Sequence, residues 1–542
     1  MNLRKFLIYI ITGICFALAF PPFNLYTLII VGFVLLLFVI DSCKSYKELI
    51  KSVYFVFLVF DFIAVSWLPL SGMHEGADRF LILGGIFTLF FHSSFHLVPA
   101  VIYFFVIRRF KFDKLPNLYL IAFPFIWTAF EFCQTLGEIS FPWVITGNAF
   151  SSNLSKIQFI EFTGVFGISF WAITISTLLY YSLKKYLANA EFKKKSFAIL
   201  FIVIVLYFLP DVYSALTHKQ KIYTNKKDTG TFKVGVVQPN INPWKKWGSQ
   251  QMSLVGDYIN LLKELKKKYP DVTFAVYPET AFPFYLLDPF YNEKYSAFKI
   301  NADSLGIAVL TGTPDFTVYT DSSKSQKDSK KFNSSGQYYD TYNSAVLLDK
   351  KSDRSNIQKY NKFKLVPASE RMPYQEYIPF LKKFMTWGVG ISSYQKGADT
   401  TVFTLDNGIK FNTAICYESI YPEFFSCFIK KGAQFSVIIT NDGWWGKLFG
   451  THQHNQYAVL RAVENRRWIV RCANTGISCI IDPYGNMFDM TEINETTFFA
   501  EEVGLSNEKT FFTRNGDLTG RICIYFSLVF IIAGASFKRK RG

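Results

Sequence analysis

The sequence predicts an α-helical transmembrane bundle of about eight helices joined to an α/β sandwich domain. Half of the 542 residues are apolar and 18% are aromatic, which is more than ordinary soluble domains contain. Long apolar segments fill the first 210 residues and recur once near the end of the chain. Between them, short apolar runs alternate with helical patterns, as in layered α/β domains.

Eight apolar segments approach or exceed the roughly 20 residues that a transmembrane helix needs. They cover residues 6–20, 26–40, 53–70, 80–107, 118–133, 165–183, 197–209 and 521–537. We expect the first to be a retained helix and not a signal peptide, because Pro21-Pro22 leads directly into another apolar segment. The predicted organisation is therefore transmembrane helices one to seven in 1–210, a linker in 211–231, an extracytoplasmic domain in 232–517, and an eighth helix with a basic tail in 518–542.

The distribution of positive charge predicts the orientation. The net charge is +17, although only 18% of the residues are charged. Lys and Arg concentrate before the first segment, in alternate loops (44–51, 108–114 and 184–195) and in the last residues of the chain. Since cytoplasmic loops are enriched in Lys and Arg, both termini are expected in the cytoplasm and residues 210–517 outside. The charge forms no basic stripe on a soluble domain, so no nucleic-acid partner is expected.

Four ionisable residues lie in or near the predicted helices: Asp61, His92, His96 and Glu131. Ionisable groups inside a membrane are costly, which makes them functional candidates. A position near a helix end is the structural alternative.

Short apolar runs that read as strands cover 232–237, 273–277, 307–311, 345–348, 411–415, 435–440, 468–472 and 478–481. Residues 249–269 place apolar side chains on one helical face, and Pro270 ends that helix. The polar segment 320–337 is expected to be a disordered surface loop without chemistry.

Three polar residues stand out within this domain. Glu279 and Cys416 each follow a strand run, in VYPET and AICYE, and Lys362 lies in YNKFKLVP. In α/β layers, sites gather at the carboxyl ends of strands. Each residue alone has a simpler explanation, such as a solvated turn or a buried packing residue. Together they form an acyl-transfer set: a carboxylate base, a thiol nucleophile and an ammonium that stabilises negative charge.

The sequence indicates no metal or organic cofactor. The cysteines form no CxxC pair, and no glycine-rich phosphate loop is present. His452 and His454 lack matching ligands at zinc-site spacing. We expect both histidines to be loop or helix-start residues without a triad-like role.

The order of VYPET, Y-x-K-x-x-LVP and AICYE resembles the Glu-Lys-Cys signature of the nitrilase superfamily, which implies an αββα sandwich. With eight predicted transmembrane helices, the chain more narrowly resembles the apolipoprotein N-acyltransferase family of bacterial lipoprotein maturation. Further segments carry this resemblance nearly along the whole chain: FALAFPPF (16–23), FPW (141–143), EFTGVFG (161–167), VQPNINPWKKW (237–247), NDGWWG (441–446), LRAVENRR (460–467) and TFFTRNGD (510–517).

The resemblance implies a role for each matching residue. Cys416 matches the nucleophile, Glu279 the general base and Lys362 the oxyanion-stabilising lysine. The supporting positions are Glu370, near the lysine, the Tyr417-Glu418 pair after the nucleophile, and Trp247, which is associated with substrate entry. The sequence LVPASE departs from the family pattern LVPFGE at Ala368 and Ser369, so the backbone leading to Glu370 is expected to differ.

The implied reaction is a ping-pong acyl transfer in the bacterial cytoplasmic (inner) membrane. The donor is a phospholipid, typically phosphatidylethanolamine, and the acceptor is the diacylglyceryl-modified N-terminal cysteine of an apolipoprotein. Aromatic clusters at 141–143, 282–285 and 444–445 are candidates for an apolar substrate entry.

Three alternatives stay open at the level of sequence. A membrane-anchored nitrilase-type amidohydrolase would use the same three residues with water as the acceptor. A transporter or scaffold would carry an inert extracytoplasmic domain, and a degenerate relative would bind lipid without catalysis. The motifs outside the domain favour transfer, and the intact Glu279, Lys362 and Cys416 favour catalysis.

Overall fold

A computed structural model describes residues 3–110, 118–188, 193–221, 230–246, 251–378 and 393–536. The chain forms two compact units. The first comprises Met1–Leu70, Leu81–Lys221 and Thr510–Gly542, and the second comprises Ser71–Phe80 and Ile222–Lys509.

The first unit is helical. Its helices in the described ranges are Leu3–Leu18, Leu28–Ser42, Tyr46–Ala64, Trp67–Leu70, Phe80–Phe95, Leu97–Phe110, Leu118–Cys133, Leu154–Ile157, Ile160–Thr163, Val165–Ala188, Lys193–Lys221, Phe511–Asn515 and Leu518–Ser536. Many large apolar side chains remain exposed on this unit, such as Leu187, Phe201 and Phe87. Helices that are apolar on all sides are typical of membrane spans.

Fewer than eight helices in the described residues meet the length and hydropathy expected of a membrane span. Each predicted segment overlaps a helix, but only four described helices are long and apolar enough to cross a membrane: Phe80–Phe110, Val165–Ala188, Lys194–Thr217 and Leu518–Ser536. The pair Tyr46–Ala64 and Trp67–Met73 is bent by 42° and makes a fifth if it counts as one span. Leu28–Ser42 is apolar but shorter.

The boundaries between the units differ from the predicted ones in three places. The helix that begins at Lys193 continues to Lys221, so the first half of the predicted linker 211–231 is helical. Residues from Thr510 group with the helical unit, although they were assigned to the extracytoplasmic domain. Ser71–Phe80, which lies between two apolar helices in sequence, groups with the second unit.

The second unit contains thirteen strands in its described part. They are β1 (Thr231–Gln238), β2 (Phe274–Val276), β3 (Ala308–Tyr319), β4 (Lys330–Lys331), β5 (Tyr338–Leu348), β6 (Gln358–Asn361), β7 (Val402–Thr404), β8 (Lys410–Ile415), β9 (Phe435–Thr440), β10 (Ile469–Ala473), β11 (Cys479–Ile481), β12 (Met487–Phe488) and β13 (Thr497–Gly504). Seven of them form one sheet in the order β13-β1-β2-β3-β5-β4, with β6 also pairing β5, and six form a second sheet in the order β12-β11-β10-β9-β8-β7.

The two sheets pack face to face through aromatic side chains, of which Phe274, Phe411 and Phe435 are fully buried and Phe232 is partly buried. The Phe274 ring on β2 lies 4.9 Å from that of Phe411 on β8, and the Phe232 ring on β1 lies 6.2 Å from that of Phe435 on β9. Helices Gln251–Lys268 and Asn292–Ser304 pack against the seven-stranded sheet, and Pro422–Lys430 and Phe449–Asn465 pack against the six-stranded sheet. The second unit is therefore an αββα sandwich, as the resemblance implies.

The segment 320–337 is not the disordered loop that its composition predicts. Lys330 and Lys331 pair with Tyr339 and Tyr338 on β5. Asp328 is buried and forms a 2.8 Å ion pair with Arg371. Composition could not predict this order, because one buried ion pair is enough to hold a polar segment in place. The partner of Asp328 in that pair, Arg371, lies 43 residues further along the chain.

Candidate active site

Glu279 lies in the turn that follows β2, and its side chain is buried. The turn packs tightly against β3, where a Cβ at Gly312 would lie 2.7 Å from the Glu279 Cα and 2.4 Å from the Thr280 nitrogen. Only glycine permits this approach. The Glu279 carboxylate accepts hydrogen bonds from the Asn343 amide (2.8 Å) and from the backbone N–H of Asn441 (3.1 Å). Both carboxylate oxygens are therefore held in place.

Lys362 directly follows β6, and its ammonium group is buried between two carboxylates. Nζ lies 3.2 Å from Glu279 Oε1 and 3.0 Å from Glu370 Oε1. Burial alone lowers the pKa of a lysine, but these two carboxylates outweigh it and raise the pKa of Lys362 well above its usual range. Lys362 is therefore a fixed positive charge beside Glu279.

Glu370 reaches this cluster despite the altered residues before it. Its carboxylate accepts hydrogen bonds from the Asn343 amide (2.9 Å) and the Val366 N–H (2.8 Å), in addition to its ion pair with Lys362. Ala368 adopts a left-handed conformation with φ of 60°, which side chains larger than hydrogen disfavour. The turn before Glu370 is therefore strained.

Cys416 lies at the end of β8, on the other sheet, and only 7% of its surface is exposed. Its φ of 52° is left-handed, an unusual conformation for a non-glycine residue that is often found at functional sites. Burial raises the pKa of the thiol well above its ordinary value, the Glu279 charge raises it further, and the Lys362 charge lowers it. Both charged residues therefore act on the thiol, which is protonated at rest.

Glu418 connects the nucleophile segment to the lysine segment. Its carboxylate accepts hydrogen bonds from Ile415 N (2.8 Å), just before the nucleophile, and from Phe363 N (2.7 Å), just after the lysine. The Tyr360 hydroxyl donates a further bond at 2.6 Å. Burial raises the pKa of Glu418 to about 7, although these donors favour the carboxylate. The neighbouring Tyr417 is buried and packs its ring edge-on against Tyr421.

His454 corrects a prediction. It lies inside the helix Phe449–Asn465, is fully buried, and belongs to a network beside the nucleophile. Its Nδ1 lies 2.8 Å from Asp442 Oδ1, and its Nε2 lies 3.1 Å from the Cys416 carbonyl oxygen. No local pattern in the sequence indicates these contacts, because Asp442 and Cys416 lie 12 and 38 positions away from His454.

Two further basic residues were missed. The buried Lys246 ammonium donates to the carbonyl and hydroxyl oxygens of Thr280, next to Glu279 (3.0 and 2.6 Å), and burial lowers the pKa of Lys246 to about 8. Arg461, in the LRAVENRR motif, donates to the Ile420 carbonyl (3.1 Å) and pairs with Glu464. Both lie in segments that carried the family resemblance, but the resemblance assigned them no role.

Within the described residues, two trios have the spacing of a metal site: Asp61, His92 and His96 in the helical unit, and Cys416, Asp442 and His454 in the sandwich. Asp442 is already bonded to His454, Thr440 and Arg471. Asp61 is bonded to His92 (3.0 Å) and Ser93 (2.7 Å). We assign no metal to either trio, because these carboxylates already have partners within the chain.

The remaining predicted positions fall outside the cluster. Glu131 accepts hydrogen bonds from the backbone and hydroxyl of Thr146 in the helical unit. Phe282 and Phe284 are core residues of the sandwich and not an exposed entry. Trp143 is also buried, whereas Trp444 and Trp445 are partly exposed. Trp247 lies outside the described residues.

The fold and the buried Glu279–Lys362–Cys416 cluster define the class of protein, a membrane-associated relative of carbon–nitrogen hydrolases. Residues 233–503 match the carbon-nitrogen hydrolase family, and residues 12–178 match the apolipoprotein N-acyltransferase N-terminal domain. The chain is 30% identical over 547 aligned residues to the apolipoprotein N-acyltransferase of Chlorobaculum tepidum, covering 99% of this chain and 97% of that protein. It belongs to the apolipoprotein N-acyltransferase family.

The chain is also similar to a second relative and to a solved structure. The apolipoprotein N-acyltransferase of Geobacter metallireducens is 28% identical over 541 residues, which cover 99% of this chain and 96% of that protein. Among solved structures, Saccharomyces cerevisiae Nit3, a member of branch 10 of the nitrilase superfamily, matches with 17% identity and a TM-score of 0.37, over 54% of this chain and 96% of that one.

Proposed function

We propose that the chain transfers an acyl group from a membrane phospholipid to the N-terminal cysteine of an apolipoprotein, through a thioester on Cys416. The observation that carries this proposal is the buried cluster in which Lys362 lies 3.2 Å from Glu279 and both charges act on the Cys416 thiol. Family membership supports the acceptor. The phospholipid donor follows from the need for an acyl ester within reach of a membrane protein.

In the first half-reaction, Glu279 takes the proton from the Cys416 thiol, and the sulfur attacks the carbonyl carbon of a phospholipid acyl ester. The Lys362 ammonium stabilises the negative charge that develops on the carbonyl oxygen, an interaction that is strong in a buried site. The ester C–O bond then breaks, and the proton returns from Glu279 to the leaving alkoxide. The products are a Cys416 thioester and a lysophospholipid.

In the second half-reaction, the free α-amino group of an S-diacylglyceryl cysteine attacks the thioester. Glu279 accepts a proton from this amine, the C–S bond breaks, and the proton passes to the sulfur as the amide is released. The same base therefore serves both halves, and the resting thiol is restored. Phosphatidylethanolamine is the donor that we propose.

The proposal also includes the membrane topology of the chain. Eight spans, one for each apolar segment of the sequence, would put both termini in the cytoplasm and the sandwich on the outer side of the inner membrane. The Lys and Arg distribution supports this orientation. Reaction of single engineered cysteines near each terminus and in the exposed segment 320–337 with an impermeant maleimide, on intact cells, tests it.

The coupled reaction tests the function itself. The purified protein in nanodiscs containing phosphatidylethanolamine is incubated with a diacylglyceryl-cysteine peptide, and the lipid products and the peptide are analysed by mass spectrometry. We expect equal amounts of lysophospholipid and N-acyl peptide, and neither with Cys416→Ala. Free fatty acid that forms at the same rate with and without the peptide would favour a hydrolase. The absence of both products would contradict the proposal.

A further inference from the structure

Cys416 occupies a backbone conformation that its surroundings must hold in place. A left-handed residue costs roughly 1–2 kcal/mol and persists only where neighbouring groups determine it. On its N-terminal side, the Ile415 N–H is fixed by Glu418 at 2.8 Å. On its C-terminal side, the Cys416 carbonyl accepts the Ser419 hydroxyl at 2.8 Å and faces His454 Nε2 at 3.1 Å.

The orientation of the His454 ring is fixed from the other side. Burial would favour a protonated Asp442, but the charges of Arg471 and His454 lower the pKa of Asp442 to about 2, so this group is a carboxylate that can only accept hydrogen bonds. His454 Nδ1, 2.8 Å from Asp442 Oδ1, must therefore carry a hydrogen. Nε2 lies 2.9 Å from Ser419 Oγ and 3.1 Å from the Cys416 carbonyl oxygen. Because the Ser419 hydroxyl donates its hydrogen to that carbonyl, Nε2 bonds to these two oxygens when it also carries a hydrogen to donate.

Asp442 is in turn clamped by two residues on neighbouring strands. Arg471 on β10 donates to Asp442 Oδ2 at 2.5 Å, and Thr440 on β9 donates to Oδ1 at 2.8 Å. The network therefore runs from two strands of the six-stranded sheet, through an imidazole, to the carbonyl of the nucleophile. The Cys416 Sγ, an Asp442 oxygen and a His454 nitrogen all lie within 4.8 Å of one another.

We infer that His454 is a positioning residue for the nucleophile, and this inference rests on the proposed function. By bridging Asp442 to Ser419 and the Cys416 carbonyl, the imidazole holds Cys416 in the left-handed conformation that directs Sγ toward Glu279 and Lys362. His454 transfers no proton to the substrate in this scheme. It acts through the backbone of Cys416.

Two substitutions separate the Nε2 contacts of His454 from its Nδ1 contact. In His454→Gln, the side-chain amide reaches the position of Nε2 and keeps a contact with Ser419 and the Cys416 carbonyl. In His454→Asn, the shorter amide keeps the contact with Asp442 but no longer reaches Ser419 or the Cys416 carbonyl. His452→Gln is the matched control, because His452 lies on the same helix and is partly exposed.

The first readout is thioester formation on Cys416 in phosphatidylethanolamine nanodiscs without an acceptor. We expect His454→Asn to slow acylation by about 100-fold, the cost of a displacement near 1 Å, with the KM for phospholipid unchanged. His454→Gln should recover most of the rate, and His452→Gln should match the wild type. Equal rates for Asn, Gln and wild type, at an unchanged Tm, would overturn the inference.

The second readout is alkylation of Cys416 by iodoacetamide, which requires neither lipid nor acceptor. We expect His454→Asn to slow alkylation by about 100-fold, the lower end of the contribution of a general base, because the displaced sulfur moves away from the Glu279 carboxylate that takes its proton. If the wild type alkylates normally but forms no thioester, the proposed function fails while the positioning role can still be judged.

Ser419→Ala covers the case in which His454→Asn does not fold. This variant removes the hydroxyl that bridges Nε2 and the Cys416 carbonyl and should slow acylation in the same direction. Where His454→Asn does fold, its effect and that of Ser419→Ala should not add in a double-mutant cycle, because both residues act through one carbonyl. Additive effects, or a Ser419→Ala rate equal to wild type, would contradict the shared bridge.

Discussion

The two sheets of the sandwich hold their parts of the candidate site in different ways. The seven-stranded sheet presents Glu279, Lys362 and Glu370, which are fixed mainly by contacts with each other and with Asn343. The six-stranded sheet presents Cys416, whose backbone is fixed by hydrogen bonds with Glu418, Ser419 and His454. The charged side of the site, Glu279, Lys362 and Glu370, determines the electrostatics around the thiol. The nucleophile side, Cys416 and the groups that hold its backbone, determines the position of the sulfur.

This contrast explains why one missing partner should have different consequences on the two sides. On the charged side, removing a group changes proton transfer or the pKa of the thiol. On the nucleophile side, removing a group changes the fold around Cys416. The predictions below test this division, beginning with the largest expected effect.

Glu279→Gln should abolish proton transfer while preserving the fold. The glutamine oxygen can keep one of the two hydrogen bonds that Asn343 and Asn441 donate to separate carboxylate oxygens, and Lys362 keeps its ion pair with Glu370, but glutamine cannot take the thiol proton. We expect acyl transfer to fall by about 100- to 10,000-fold, the usual contribution of a general base, in a protein that still folds with a lower Tm. Product formation and thermal unfolding are measured together, and Glu502→Gln, an exposed glutamate on β13, is the control. An active Glu279→Gln protein would remove Glu279 from the mechanism.

Asp442→Asn should mainly reduce stability. The substitution leaves the buried Arg471 without its carboxylate, and breaking such a buried pair costs on the order of 3–5 kcal/mol. The pKa of Asp442 is lowered to about 2, below its ordinary value. Its stabilising contribution is therefore complete above about pH 4 and is lost as the pH falls toward 2.

The measurement is thermal unfolding of wild type and Asp442→Asn between pH 5 and pH 2.5. We expect the difference in Tm to be largest at pH 5 and to shrink as the solution becomes more acidic. A constant difference across this range would mean that the carboxylate charge is not what stabilises the network.

Lys362→Met should move the pH dependence of Cys416 alkylation to higher pH. The Lys362 charge lowers the pKa of the thiol, so its removal raises that pKa further. If the shift is about one unit, alkylation by iodoacetamide slows about 10-fold at any pH below both pKa values. Lys364→Met, two residues further along the chain, is the control. An unchanged pH profile would show that the Lys362 charge does not act on the Cys416 thiol.

Ala368→Gly should stabilise the charged side slightly. Ala368 has a φ of 60°, a conformation that glycine adopts without the steric cost of a Cβ. We expect about 1 kcal/mol of added stability and an unchanged rate of acyl transfer. A lower Tm would show that the turn before Glu370 gains from the alanine side chain.

Sequence singled out candidate residues on both sheets. Glu279, Lys362 and Cys416 each lie in a short motif at or near a strand end, and they were grouped by their chemistry and by the family that these motifs resemble. Their exact roles stay with the proposal. Asn343 and Lys246 were missed because an amide inside a strand and one lysine among many carry no local signal.

The His454 network could not be read from the chain. Its members lie on β9, on β10, in a helix and after β8, and only the packing of these elements brings them within hydrogen-bond distance. In the helical unit, by contrast, apolar composition predicted where the helices lie. It did not predict their bends and shorter lengths, because these depend on packing, which composition does not encode.

Intact mass spectrometry of the protein after incubation with phosphatidylethanolamine, beside Cys416→Ser, tests the central claim most directly. We predict an adduct with the mass of one acyl chain on a peptide containing Cys416, released by hydroxylamine and absent from the control. When the diacylglyceryl-cysteine peptide is added, the adduct should disappear as the peptide gains the same mass. If no adduct forms with the acceptor withheld, although the peptide becomes acylated when present, the thioester account is contradicted.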